Sequence, residues 1–326
     1  MTSKYRGLVY LLSAVVIAAI LLWGGRLSPL QSVSRATTPM LVVDAERLRS
    51  HLAPLSVERY LDADLAMARD YLTDTLIEYG YEPEQQAFGS EATSGVNLIA
   101  TRPGTAPETG TLLVGAHYDT VQYSPGADDN ASAIAATLEI ARLFADYPTP
   151  HTLKIAFFDQ EERQPDGLGL LGSKAFVDTE ENLVGLRGAI ILEMLGYACQ
   201  EIGCQQYPPG LPISNLPEQG NFLGAIGDFP HPELLQTFQT VNTPELPIIT
   251  LPVPVNDIEA LPDLFRSDHV PFWRSGIGAV MVTDTANFRN PYYHLPTDTL
   301  ETLDEAFLYR GTQKIANAIR TLLTLS

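Results

Sequence analysis

The sequence predicts an α/β fold in three layers, with a central mixed, mostly parallel sheet flanked by helices. Short continuous apolar runs of strand length recur at 111–116, 153–158, 189–194 and 279–283. Segments between them include stretches with apolar residues at helical spacing, and strands without polar alternation belong in a sheet covered on both faces. A chain of 326 residues, 45% hydrophobic and 18% charged, has the means to bury a large core.

Taken in order, Lys4 and Arg6 precede an apolar run at 7–25, which Arg26 closes. That run is near the length a helix needs to cross the hydrocarbon, and no small-x-small cleavage site follows Trp23. An uncleaved transmembrane helix over residues 1–26 is therefore expected rather than a removed signal peptide. The positive charges ahead of it favour a cytoplasmic N-terminus, which puts the remainder outside the cytoplasm, whether periplasmic, extracellular or lumenal. Residues 27–40 lack periodicity and carry Ser, Thr and Pro, the pattern of a tether, and residues 41–326 are expected to form one folded domain.

Leu61, Leu65, Ala68, Leu72 and Leu76 share a helical face, and Gly80 stops the helix. Strand-like segments follow at 82–88 and 96–101, then the buried runs, with a helix over 131–144 that turns Ile134, Leu138 and Ala141 inward. The stretch 197–266 is rich in Pro and Gly and reads as loops plus one short helix near 232–243. Cys199 and Cys204 lie in that stretch. A short disulfide-closed loop suits them in an oxidising compartment, while two thiolates without a nearby His make only half of a structural zinc site.

The formal charge of -19 and the scarcity of Lys and Arg exclude nucleic acid as a partner. The acidic residues are not spread evenly. Each apolar run ends in polar residues: His117 and Asp119 in GAHYDT, Asp128 and Asp129 in GADDNAS, Glu161 and Glu162 in FFDQEE, Glu193 in ILEMLGY, and Tyr293 and His294 in NPYYHLPTDT. In sheets of this class, ligands gather beyond the carboxyl ends of the strands. Any one of these residues alone reads as a cap or an ion-pair partner. Five strand or loop ends converging with carboxylates and imidazoles concentrate negative charge that cations must neutralise, and nitrogen and oxygen ligands without thiolate suit zinc, with manganese or cobalt as alternatives.

In this order and combination the motifs resemble the co-catalytic zinc aminopeptidases of the M28 peptidase group, to which animal glutaminyl cyclases are related. The resemblance runs from about Asp44 to the C-terminus and implies a zinc-exopeptidase-like catalytic domain over 41–326. It implies two zinc ions per chain: Asp129 bridging them, Glu162 and His294 completing one site, His117 and Glu193 the other. Asp128 is then not a ligand. It further implies that Asp119 steadies the distal nitrogen of His117, that Glu161 is the general base for a metal-bridged water, and that Tyr293 donates its phenol to the oxyanion. Three departures from the family pattern stand out. Ala133 replaces a common Gly, residues 163–168 intervene before the Gly169 to Ser173 turn, and Glu193 stands where Asp is also common. His269, in SDHVPFW, reads as structural; Arg274 and Arg289 are candidates for contact with substrate.

The resemblance implies hydrolysis of N-terminal residues from peptides with a free N-terminus. Glutaminyl cyclase-type acyl transfer is the alternative, and a catalytically dead ectodomain that only binds is a third reading, weakened because every ligand and Glu161 are present. Membrane contact is expected through the N-terminal helix, and no protein partner is implied.

Overall fold

The computed structural model describes residues 41–90, 93–162, 169–211, 215–241, 245–255 and 261–325. The expected membrane helix, the tether and the inserted residues 163–168 lie outside the described residues. Among the described residues no helix is long and apolar enough to cross a membrane.

Eight strands form one mixed sheet: β1 (Glu84–Phe88), β2 (Gly95–Arg102), β3 (Thr111–His117), β4 (Thr152–Phe158), β5 (Leu186–Glu193), β6 (Leu223–Asp228), β7 (Ile248–Val253) and β8 (Ala279–Thr283). Their order is β1-β2-β4-β3-β5-β8-β6-β7. The centre β4-β3-β5-β8 is parallel throughout, whereas β1 and β2 at one side and the β8-β6 junction pair antiparallel. The expected parallel, doubly covered core is thus present at the centre. The stretch 197–266, expected to be loops and one helix, holds β6 and β7 as well. Their sequences, LGAIGD and IITLPV, are short and broken by Gly or Pro, so period and propensity give little signal until the neighbouring strands supply pairing.

Helices α1 (Ala45–Leu55), α2 (Asp62–Glu78), α3 (Ala133–Ala145), α4 (Leu171–Val177), α5 (Glu180–Leu183), α6 (Pro232–Thr240), α7 (His269–Arg274) and α8 (Glu305–Thr324) complete the layers. Alternation along the strands separates two cores. Leu112, Val114 and Ala116 join Ile155, Ile190, Val280 and residues of α1, α2, α3, α6 and α8 on one face. Leu113, Ala156, Ile191 and Met281 join Phe176 of α4 and Phe272 of α7 on the other. This is period-2 geometry: successive Cβ atoms leave opposite faces.

Within the first layer, α1 leans on α2 through one buried polar contact. His51 is 5% exposed, and its Nδ1 and Nε2 lie 2.7 and 2.9 Å from the hydroxyls of Tyr71 and Tyr79. Burial, helped by Arg47 and Arg142, pulls its pKa from 6.5 down to about 4. A depressed histidine pKa means the unfolded chain binds the proton first, so its stability contribution is complete above pH 6.5 and is lost as pH falls through about 4. Urea unfolding should show this. The stability difference between wild type and His51→Gln is expected to be greatest at neutral pH and to shrink toward pH ~4; a difference independent of pH would contradict the assignment.

Candidate metal centre and active site

Three adjacent parallel strands deliver the site. His117 is the last residue of β3, Glu193 the last of β5, and Glu161 and Glu162 follow β4 by three and four residues. Parallel pairing sets these ends side by side, with His117 in register with Phe158. Asp129 comes from the turn between β3 and α3, and His294 from the loop after β8.

The Asp129 turn is fixed from several sides. Gly126 begins it at φ 59°, and a Cβ there would stand 2.2 Å from the Asp129 carbonyl oxygen, so glycine is required. Asp298 accepts hydrogen bonds from the amides of Asp128 (3.0 Å) and Asp129 (3.1 Å). The flanking residues reach to the end of β5: the Asp128 carboxylate accepts from Gly196 N and from Asn290 Nδ2, and the Asn130 side chain bonds Leu192 O and Met194 N. Asp128 is spent on this bracing, which agrees with its exclusion from the ligands. Arg59, fully buried, donates to the carbonyls of Tyr118, Val57, Pro125 and Gly126, and to that of Leu55. It thereby ties the His117 strand end to the Asp129 turn, and burial lowers its pKa to about 10. Nothing in the spacing around Arg59 announces this role.

The donors that converge form two triads sharing one aspartate. His117, Asp129 and Glu193 offer ligand atoms within 4.8 Å of one another, and so do Asp129, Glu162 and His294. His117 Nε2 lies 3.2 Å from Asp129 Oδ1 and 3.5 Å from Glu193 Oε1; His294 Nε2 lies 3.1 Å from both Asp129 Oδ2 and Glu162 Oε2. A third triad, His117 with Glu161 and Glu162, shows that Glu161 faces the same space. All five expected ligands and the expected base are therefore brought together.

The buried atoms His117 Nε2, Asp129 Oδ1 and His294 Nε2 make no hydrogen bond of proper geometry, although buried polar groups ordinarily do. Charge is equally unusual. Burial pushes Glu161 well above the carboxylate range, and burial with Asp129 carries Glu162 to about 8. Against the opposing effect of burial, Glu193 and Glu161 draw His117 well above its usual value, and Asp129 and Glu162 bring His294 to about 10. Protein groups alone thus balance the carboxylates by protonating both imidazoles. Divalent cations between the same donors supply that charge and leave both Nε2 atoms as ligands, so the residues fit a pair of metal ions.

Around the donors the roles are more finely divided than sequence suggests. His117 Nδ1 is 3.2 Å from the main-chain oxygen of Asp119 and 3.4 Å from its carboxylate. That carboxylate accepts the amides of Glu161 and Glu162, each at 3.1 Å, so Asp119 locks the position of both glutamates as well as facing the imidazole. Ser267 donates to Glu193 Oε2 at 2.7 Å, an orienting contact no motif signals. Tyr293 stacks on His294 at 3.7 Å, and its phenolic oxygen accepts from Arg266 Nη2 at 2.8 Å, which leaves its own proton free to donate. His269 is fully buried with Nε2 against Leu264 O at 3.0 Å, a packing role. Arg289 is buried against Gln205, Tyr197 and Phe222 and braces loops, whereas Arg274 lines the cavity. Non-glycine residues with left-handed φ cluster here: Gln160, Met194, Thr285, Ala286 and His294. Such backbone persists where surrounding contacts over-determine it.

The donors open into a cavity of about 850 Å3. Its lining includes Asp129, Glu161, Glu162, Glu193 and His294, and otherwise consists largely of apolar and aromatic side chains.

The chain is 28% identical over 271 residues to the uncharacterized protein YfbL of Escherichia coli, covering 80% of each. It is 28% identical over 245 residues to aminopeptidase YwaD of Bacillus subtilis, covering 72% of this chain and 46% of that one, so it spans about half of that relative's length. In fold it is similar to a zinc aminopeptidase from Bacillus subtilis, with a TM-score of 0.66 at 16% identity over 88% of this chain and 97% of that one. It is equally similar to a Macrostomum lignano glutaminyl cyclase, with a TM-score of 0.67 at 15% identity over 87% and 90%. The profile of peptidase family M28 matches residues 97–319, which include every converging donor, and the chain belongs to that family.

Proposed function

We propose that this protein is a zinc-dependent aminopeptidase that removes N-terminal residues from peptides, with two ions held by His117, Asp129, Glu162, Glu193 and His294. The observation that carries the reading is the pair of donor triads sharing Asp129 in the lining of a cavity of about 850 Å3. Bound there, two zinc ions would polarise the scissile carbonyl and lower the pKa of water at the site.

The chain's own groups supply the remainder. Glu161 is buried and shares the space of the donors, so it is placed to take the proton of the attacking water and return it to the leaving amine. Asp119 fixes the backbone of both glutamates by accepting their amides. The Tyr293 hydroxyl, held by Arg266, donates to the oxygen that gains charge as the carbonyl is attacked. Export behind an N-terminal anchor belongs to the same proposal. It is supported by the apolar run at 7–25 and by the Cys199–Cys204 disulfide, a bond of oxidising compartments.

In an assay of aminoacyl chromogenic substrates beside an N-terminal Gln peptide, amine release is expected. Glu161→Gln should lower kcat by about 10^2- to 10^4-fold while zinc content stays at the wild-type level. Cyclisation of the Gln peptide with no amine release would reverse the reading toward a cyclase. Calorimetric titration of the metal-free protein provides a separate check on the centre: Asp119→Ala should weaken zinc binding by about 10- to 100-fold, and wild-type affinity in that variant would remove Asp119 from the account.

A further inference from the structure

Cys199 and Cys204 form a disulfide at a place the chemistry does not use. The residues it encloses have almost no core of their own: Ile202 is 80% exposed, and Gln200, Glu201 and Gly203 are exposed. Order in this loop comes from the covalent link and from backbone bonds to the returning strand, where Cys199 pairs with Gly220, and the amides of Gly203 and Gln205 reach Glu218 O.

The residues that leave the disulfide build one wall of the cavity. Gln205 is 4% exposed, and it binds Thr285 Oγ1 at 2.9 Å and Arg289 Nε at 2.7 Å. The Gln206 amide donates to Phe288 O at 2.7 Å. Tyr207 then lies parallel to Phe222 at 6.5 Å, with the Arg289 guanidinium over Phe222 at 4.6 Å. Tyr207 and Phe222 both line the cavity, together with Ile226, Leu251, Phe265 and Met281. A wall of this composition receives apolar surface.

The ligands have anchors of their own besides: Asn290, in the loop that leads to His294, bonds Asp128, and Asp129 is held by Asp298. Gln205 and Gln206 touch that same loop at Thr285, Phe288 and Arg289, so loosening the 199–204 loop would act first on the Tyr207–Phe222 wall and reach His294 only through a segment with this second hold.

We propose that the disulfide-closed loop is the specificity-determining element of this site, bracing the Tyr207–Phe222 wall that receives a large apolar N-terminal side chain. This rests on the aminopeptidase reading and adds its substrate class. Removal of the link raises KM for bulky apolar residues and spares small ones, because only the former use the wall.

The test compares the oxidised full chain with Cys199→Ser/Cys204→Ser on leucyl, phenylalanyl and alanyl 4-nitroanilides, alongside amide hydrogen exchange over residues 205–211. The expected result is a KM about tenfold higher for the leucyl and phenylalanyl substrates, kcat within about twofold, an alanyl KM unchanged and faster exchange in that segment. Should the double variant not fold, reduction of the folded protein by a phosphine gives the same comparison. Equal shifts for all three substrates, or unchanged KM, overturn the proposal. No amine release from the wild type sinks the aminopeptidase reading and the substrate class with it, and exchange that is the same with and without the link then shows that the disulfide does not brace the wall.

Discussion

The structure is governed by the confinement of four carboxylates and two imidazoles, nearly all buried, within reach of one another. Asp129 stands at the centre, within 3.2 Å of a ring nitrogen on each side. Groups of this kind repel or neutralise one another unless cations join them. The protein holds them apart with main-chain geometry: three parallel strand ends set the spacing of His117, Glu193 and the paired glutamates, and Asp298, Asn290 and Arg59 clamp the loops between. Most of that clamp is hydrogen bonding to backbone, so the centre is stiff before any ligand arrives.

The sheet and the site were legible in the sequence to different depths, for a physical reason. Buried parallel strands write themselves as unbroken apolar runs, and β8 coincides with its expected range at 279–283. The ligands lay where such runs end, because backbone direction fixes which edge of the sheet they reach. Strands β6 and β7 were hidden because Gly and Pro interrupt them. Helix α3 begins at Ala133 rather than 131, since the turn before it carries Asp129 and Asn130 in non-helical conformations. A periodicity reading cannot see a turn whose shape is set by Gly126 and by hydrogen bonds to the distant Asp298.

The supporting residues left the weakest trace. Arg59 lies 58 positions before His117 and Asp298 lies 169 after Asp129, and neither spacing has a local logic. Ser267 opens the SDHVPFW motif that draws attention to His269, yet it is the serine that touches a donor. Tyr293 was legible from its place next to His294, while the Arg266 bond that steadies its hydroxyl was not. Family resemblance transmits ligands readily because their chemistry permits few substitutes. The residues that aim them are dispersed, since a carbonyl or an amide can be held from many directions.

The most direct measurement is anomalous diffraction at the zinc edge from crystals of residues 41–326 grown with zinc. Two peaks are expected, both within about 2.0–2.2 Å of an Asp129 carboxylate oxygen, one shared with His117 and Glu193 and the other with Glu162 and His294. A single peak, or two peaks of which either lacks Asp129, would contradict the shared-aspartate centre from which the rest of this account is built.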